Sequence, residues 1–296
     1  MKKSNVTAVL FLFPAVFAFI MVIIIPFFLG IYYSLTDWKG FAENVNYVGF
    51  VNFVKSFEAQ DFRYSFLVTT IYTLINVILV NLVAFGLSLL VTSELKMRNF
   101  YRAGFFVPNL IGGIVLGYIW QFLFNNVFPR VGSELGLTLM STSMLTNPYS
   151  AVLAVSLVST WQYAGYIMMI YVAAIQSIPA SLLEAANVDG ASYWTRLRKI
   201  LIPMTANAFT ISLFLTLVNS FKQFDVNVSL TNGGPAMVMG LTAVKSTQLL
   251  ALNIYNTAFN MNQMAQGQAR AVVFFIALVI ISLIQVWVSK SREVEM

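Results

Sequence analysis

The chain has 296 residues, of which 59% are hydrophobic and only 9% charged, with a mean hydropathy of +0.79 and a net charge of +6. Soluble domains carry about 25% charged residues, so this composition excludes one. The lack of Cys and His also excludes thiolate and imidazole metal sites, nucleophiles paired with histidine and histidine proton relays.

A bilayer core about 30 Å thick needs about 20 apolar residues in helix, at about 1.5 Å per residue. Six segments reach that length, at about 8–35, 66–91, 104–124, 149–175, 204–221 and 271–288. They predict an all-α membrane protein with six transmembrane helices, forming a single transmembrane domain over 1–296. Lys2 and Lys3 precede the first segment as in a signal peptide, but its apolar run is too long for a signal h-region and no small-x-small cleavage site follows. It is expected to stay as a helix, kinked or interrupted near Pro14 and Pro26.

Six crossings put both termini on one side, together with the connectors 93–103 and 177–202. Lys2, Lys3, Lys96, Arg98, Arg102, Arg196, Arg198, Lys199, Lys290 and Arg292 lie there, ten of the 17 basic residues. The other seven are Lys39, Lys55, Arg63, Arg130, Lys222, Lys245 and Arg270. Short clusters of this kind between apolar runs fit membrane topology better than a nucleic-acid face. The positive-inside rule then makes both termini cytoplasmic.

The six predicted spans contain no charged residue. Secondary transporters coupled to protons or sodium usually place a titratable group there, so this reading is disfavoured. Asn76, Asn81, Gln121, Gln162, Asn207 and Asn219 are uncharged polar residues within the spans or at their edges. Such groups either bind a neutral polyhydroxylated solute or join helices to one another. No P-loop is present, so ATP hydrolysis would belong to a partner.

The connector 178–203 has its own local logic. Ser181 with Glu184 forms a capping-box pattern, predicting a helix from Leu182 through Ala185, Ala186 and Val188, ended by Gly190 as the residue past the cap. Ser192 can cap a second helix, whose last turn gathers Arg196, Arg198 and Lys199, with Pro203 opening the next span. Spacing alone makes this an elbow with interfacial helices.

Glu184-Ala185-Ala186, Gly190, Ile200 and Pro203 together resemble the EAA loop of binding-protein-dependent ABC importer permeases, closest to the carbohydrate group. The resemblance continues in LTNGGP (Leu230–Pro235) and IYNTAF (Ile254–Phe259) and covers roughly 60–290. It implies the type I ABC importer permease architecture, with the loop 178–203 carrying a cytoplasmic coupling helix that transmits ATPase closure to the spans. Glu184, Ala185, Ala186, Asp189 and Gly190 would form the docking surface.

The same resemblance implies four kinds of partner: a second homologous permease, two cytoplasmic ATPase subunits that hold ATP and Mg, an extracytoplasmic solute-binding protein, and a sugar or oligosaccharide. It gives this chain no cofactor, metal or catalytic residue. It also assigns Tyr163, Tyr166, Ser220 and Gln223 to the sugar site, with Gln162 and Asn219 as neighbours. Aromatic faces rimmed by amides and hydroxyls suit pyranose rings, although Trp and Tyr also form interfacial belts.

Two features complete this reading. The maltose member has two extra N-terminal helices and a large external domain that this chain lacks. The turn Thr231–Pro235 is read as structural, its glycines permitting positive φ. An importer for glycerol phosphate or another anion would call for a cation facing the pathway, for which Lys222 is the nearby candidate. A membrane enzyme or scaffold would need clustered carboxylates, whereas Asp37, Glu43, Glu58 and Asp61 are scattered.

Overall fold

The computed structural model describes residues 2–41, 45–138, 140–240 and 242–290, with side chains from Leu10 onward; Glu43 and Arg292 lie outside these residues. The chain opens with α1 (Lys2–Phe19), a π-turn and α2 (Ile25–Ser34), followed by α3 (Val51–Glu58) and α4 (Gln60–Thr92). Next come α5 (Arg98–Phe106), α6 (Gly113–Phe122), α7 (Phe128–Glu134) and α8 (Pro148–Gln176). The elbow contains α9 (Ala180–Val188), α10 (Tyr193–Arg196) and α11 (Ile202–Met204). It leads to α12 (Ala206–Phe221), α13 (Asp225–Leu230), the strands β1 (Ala236–Met239) and β2 (Thr242–Lys245), α14 (Leu250–Tyr255) and α15 (Met264–Lys290).

Four helices are long and apolar enough to cross a bilayer: Leu10–Ser34, Gln60–Thr92, Pro148–Gln176 and Met264–Lys290. Two bent pairs bring the number to six if each pair is one span, Arg98–Leu110 with Gly113–Glu134 at 97° and Tyr193–Met204 with Ala206–Phe221 at 68°. The fold is that of an all-α membrane protein apart from the short antiparallel hairpin of β1 and β2.

Several local expectations need correction. Pro14 sits inside α1 without ending it, and the chain reaches Pro26 through the π-turn Ile20–Ile24. Wider turns of this type absorb the missing N–H and the ring clash of proline. The third segment is not one straight helix. Pro108 lies in a 3-10 turn and Ile111 and Gly112 are extended, so α6 starts in a new direction. Pro203 does not open the fifth span either; the helix runs through it, and the bend falls at Thr205. Finally, α4 and α15 begin before the predicted spans and carry Asp61, Arg63 and Arg270, so these long helices are not free of charge.

Contacts cluster into two units, Met1–Arg63 with Asn253–Ile276, and Tyr64–Leu252 with Ala277–Met296. In the first, the buried Asn52 amide donates to the carbonyls of Ser34 (2.9 Å) and Thr36 (2.7 Å), satisfying acceptors left open at the end of α2. Asp37 accepts from the Asn46 side chain and backbone, which holds its carboxyl below the usual range. Arg270, only 3% exposed, donates to Asp61 (2.8 Å), Asn253 (2.7 Å) and Thr257 (2.6 Å) and lies over the Phe62 ring. A buried guanidinium is tolerable only with partners of this kind. They give Thr257, within IYNTAF, a structural role.

The second unit has two apolar clusters. One gathers Tyr72, Leu116, Val155, Val158, Val226 and Leu230, the other Val80, Ala84, Ile167, Tyr171, Val172 and Ala208. Small residues let its helices approach closely. A Cβ on Gly117 would overlap the Ser229 hydroxyl, and one on Gly165 would overlap the Phe105 carbonyl. LTNGGP folds as a tight turn, with Gly233 at φ +84° and Thr247 bonded to both the Gly233 and Gly234 carbonyls. Its predicted structural role follows from these bonds.

Candidate functional site

Two regions carry the residues singled out by the sequence. The first is the elbow. α9 begins at Ala180 and its N-terminal residues take no side-chain cap, so the Ser181–Glu184 box does not form. Its C-terminus does close as expected. Gly190 adopts φ +72°, its N–H donates to the Asn187 carbonyl and the Ala191 N–H reaches the Ala186 carbonyl, the paired bonds of a Schellman cap. Ser192 then caps α10 through the Thr195 N–H, and Arg196 donates to the Asn187 side chain, tying the two helices together.

This closure sets which residues face outward. Glu184, Ala185, Asp189 and Gly190 are exposed, whereas Ala186 is buried, as are Ile178 and Leu197. Ala186 therefore serves packing within the chain and not an outer surface. Sequence reasoning passed over three strongly exposed apolar side chains here, Val188 (89%), Trp194 (67%) and Tyr193 (53%). Tyr193 and Trp194 pack edge to face on each other, and exposed apolar side chains gathered in this way mark a surface for another protein.

The second region lies between α4, α8 and α12, where hydroxyls and amides form a ladder. The Tyr72 hydroxyl donates to Ser159 (2.8 Å), which also accepts from the Gln223 amide (2.9 Å). Asn76 donates to Ser220 (2.7 Å), and Ser220 donates to the Thr216 carbonyl. Further along, Ser212 donates to the Tyr171 hydroxyl, which donates to Asn81 (2.8 Å).

The six candidate solute residues do not converge on one pocket. Gln162 (6% exposed), Ser220 (1%) and Gln223 (8%) are buried and bonded within the chain, Gln162 through the Ile111 carbonyl at the break before α6. Tyr163, Tyr166 and Asn219 are half-buried. Of the six, only Tyr166 lines a groove of about 820 Å3, with Phe106, Met169, Ile170, Asn207 and Arg102. Asn207 is exposed there, so it adds a free amide to the same wall. Arg102 is the cation of that lining, and one of its nitrogens donates to the Val91 carbonyl (3.0 Å). Among the described residues no group of three or more metal-ligating side chains occurs.

A family model described as "binding-protein-dependent transport system inner membrane component" matches residues 4–293. The chain is 41% identical over 294 residues to a probable starch degradation products transport system permease protein of Thermoanaerobacterium thermosulfurigenes, covering 99% of this chain and 97% of that one. It is 31% identical to a multiple sugar-binding transport system permease protein of Streptococcus mutans, covering 91% and 90%. Among solved structures it resembles a chain of a bacterial ABC transporter involved in import of the acidic polysaccharide alginate, with a TM-score of 0.80, 20% identity and coverage of 98% and 96%. At that identity the last likeness speaks for the fold alone.

Proposed function

The chain belongs to the binding-protein-dependent transport system inner membrane components, and from this we propose that it is one permease subunit of an ATP-driven importer for a neutral sugar or oligosaccharide. The observation that carries the reading is the 41% identity, over nearly the whole of both chains, to a permease named for starch degradation products. In this reading the chain has no ATPase site, and ATP with Mg is held by two cytoplasmic ATPase subunits. A second permease completes the pathway and an extracytoplasmic solute-binding protein delivers the sugar. Both termini and the elbow face the cytoplasm.

The elbow would dock on an ATPase through Glu184, Ala185, Asp189 and the exposed Val188, with Tyr193 and Trp194 beside them. Burying Val188 in a partner cleft contributes about 1.5 kcal/mol or more, and the Schellman and Ser192 caps keep the elbow rigid enough to transmit motion. Alternating access is then a two-state equilibrium biased by ATP and by the loaded binding protein. Tyr166 and Asn207 would face the solute along the groove, while Gln162, Ser220 and Gln223 chiefly hold the spans together in the conformation described.

The test is purification by a tag on this chain, co-expressed with its genomic neighbours, followed by ATPase assays in lipid with the binding protein and a panel of sugars. Stimulation by a sugar-loaded binding protein is expected. Failure to co-purify any ATPase would refute the reading.

A further inference from the structure

Asp225 opens α13, whose Val226 and Leu230 are buried against Leu116, Val155 and Val158. That packing leaves the Asp225 side chain exposed beside the break in the third segment. A Cβ built on Gly113 would lie 2.7 Å from the Asp225 Cβ and 3.4 Å from its Oδ2, so only glycine fits beneath this carboxylate. Gln162, next to Tyr163 on α8, donates to the Ile111 carbonyl (3.0 Å) two residues before Gly113, which brings Asp225 to the same level of α8 as Tyr163. Tyr163 stands close to the middle of α8, about 20 Å from either end. The carboxylate therefore lies level with the middle of this candidate span.

Among the described residues, no cation or hydrogen-bond donor engages the Asp225 carboxylate, and Lys222 makes no ion pair with it. The first turn of a short helix favours an acidic residue only slightly, less than a charge near mid-bilayer costs. The carboxylate, unpaired within this chain, is left to water, to a donor from the second permease or to a ligand that supplies donors. A carboxylate only accepts hydrogen bonds, with two oxygens that suit a pair of neighbouring hydroxyls, and it repels an anion.

Resting on the sugar-import reading above, we propose that Asp225 contacts the solute in the membrane path, accepting hydroxyl hydrogen bonds from a neutral glycan beside Tyr163 and disfavouring anionic ones. The test compares the complete complex, in proteoliposomes with its binding protein, carrying wild-type chain, Asp225→Asn or Asp225→Ala. Uptake of maltotriose is measured against the same trisaccharide oxidised to a carboxylate at one primary alcohol, alongside ATP hydrolysis. One binding protein delivers both probes to every variant, so its own preference cancels.

Both variants should lower the neutral-to-anionic uptake ratio about tenfold, and maltotriose moved per ATP should fall while stimulated ATPase activity persists. The Asn variant has the shape of Asp, so it decides the matter if the Ala variant fails to assemble. An unchanged ratio and unchanged sugar per ATP in an active complex would overturn the role of Asp225 alone. A wild-type complex that carries the oxidised probe and no neutral glycan would overturn the sugar reading and this proposal with it.

Discussion

In the elbow, most polar and apolar side chains are turned outward, and backbone bonds, two caps and the Arg196–Asn187 bond hold the shape; between α4, α8 and α12, side-chain hydroxyls and amides are turned inward and bond to one another. Water explains the difference. In the topology proposed above the elbow lies in water and need not satisfy its side chains internally, so Val188, Glu184 and Trp194 remain available to a partner. Within a bilayer a polar group has no solvent, so Tyr171, Asn81 and Ser220 find partners across helices. A face for another protein can therefore be read from exposure, whereas a face for a solute must be separated from residues that already have a structural task.

The contrast can be broken first at Gly190. Replacing it with Trp forces a side chain into φ +72°, costing about 1–2 kcal/mol, and adds bulk to the outer surface. Co-purification of the ATPase should fall at least about thirtyfold, the scale of a lost interface hot spot, while the chain remains inserted. Quantitative pull-down from membranes measures this, and normal association would refute the docking face.

Tyr171→Phe tests the inward region. It removes the hydroxyl that accepts from Ser212 and donates to Asn81, leaving buried groups unsatisfied at a cost of about 1–3 kcal/mol. The detergent-solubilised complex should melt several degrees lower, with ATPase pull-down unchanged at low temperature. Tyr166→Ala sharpens the same line from the other side. Its ring is half-buried at the groove, so uptake should fall about threefold, the lower end of an aromatic contact's worth, with little change in melting temperature. A Tyr166→Ala variant as unstable as Tyr171→Phe would assign Tyr166 to packing instead.

The smallest effect concerns Asp37. Its carboxyl is held below the ordinary value of 3.8 by bonds from Asn46. The stability it contributes is present above that value and is lost as pH falls through the lower, folded-state pKa. Amide exchange at Asn46 should quicken only in strong acid, and Asp37→Asn should remove this pH dependence.

Much of this was legible in the chain. Long apolar runs pointed to the four helices long and apolar enough to cross a bilayer and to the two bent pairs, and local rules placed the Gly190 and Ser192 caps, because helix ends depend on neighbours in sequence. The capping box at Ser181 did not form, since a capping-box pattern does not fix where its helix starts. The candidate solute residues were harder. Asn, Gln, Ser and Tyr carry the same local signal whether they bind sugar or a neighbouring helix, and only the approach of α4, α8 and α12 shows that Gln162, Ser220 and Gln223 are engaged internally.

By itself the sequence determined that this is a multi-pass helical membrane protein with a capped elbow between its fourth and fifth segments, because apolar length and end-capping are properties of contiguous residues. The tertiary structure decided which polar residues are occupied, where the third and fifth segments bend, that Ala186 faces inward, and that Arg270 pairs with Asp61. Each of those depends on which distant group arrives at hydrogen-bonding or packing distance.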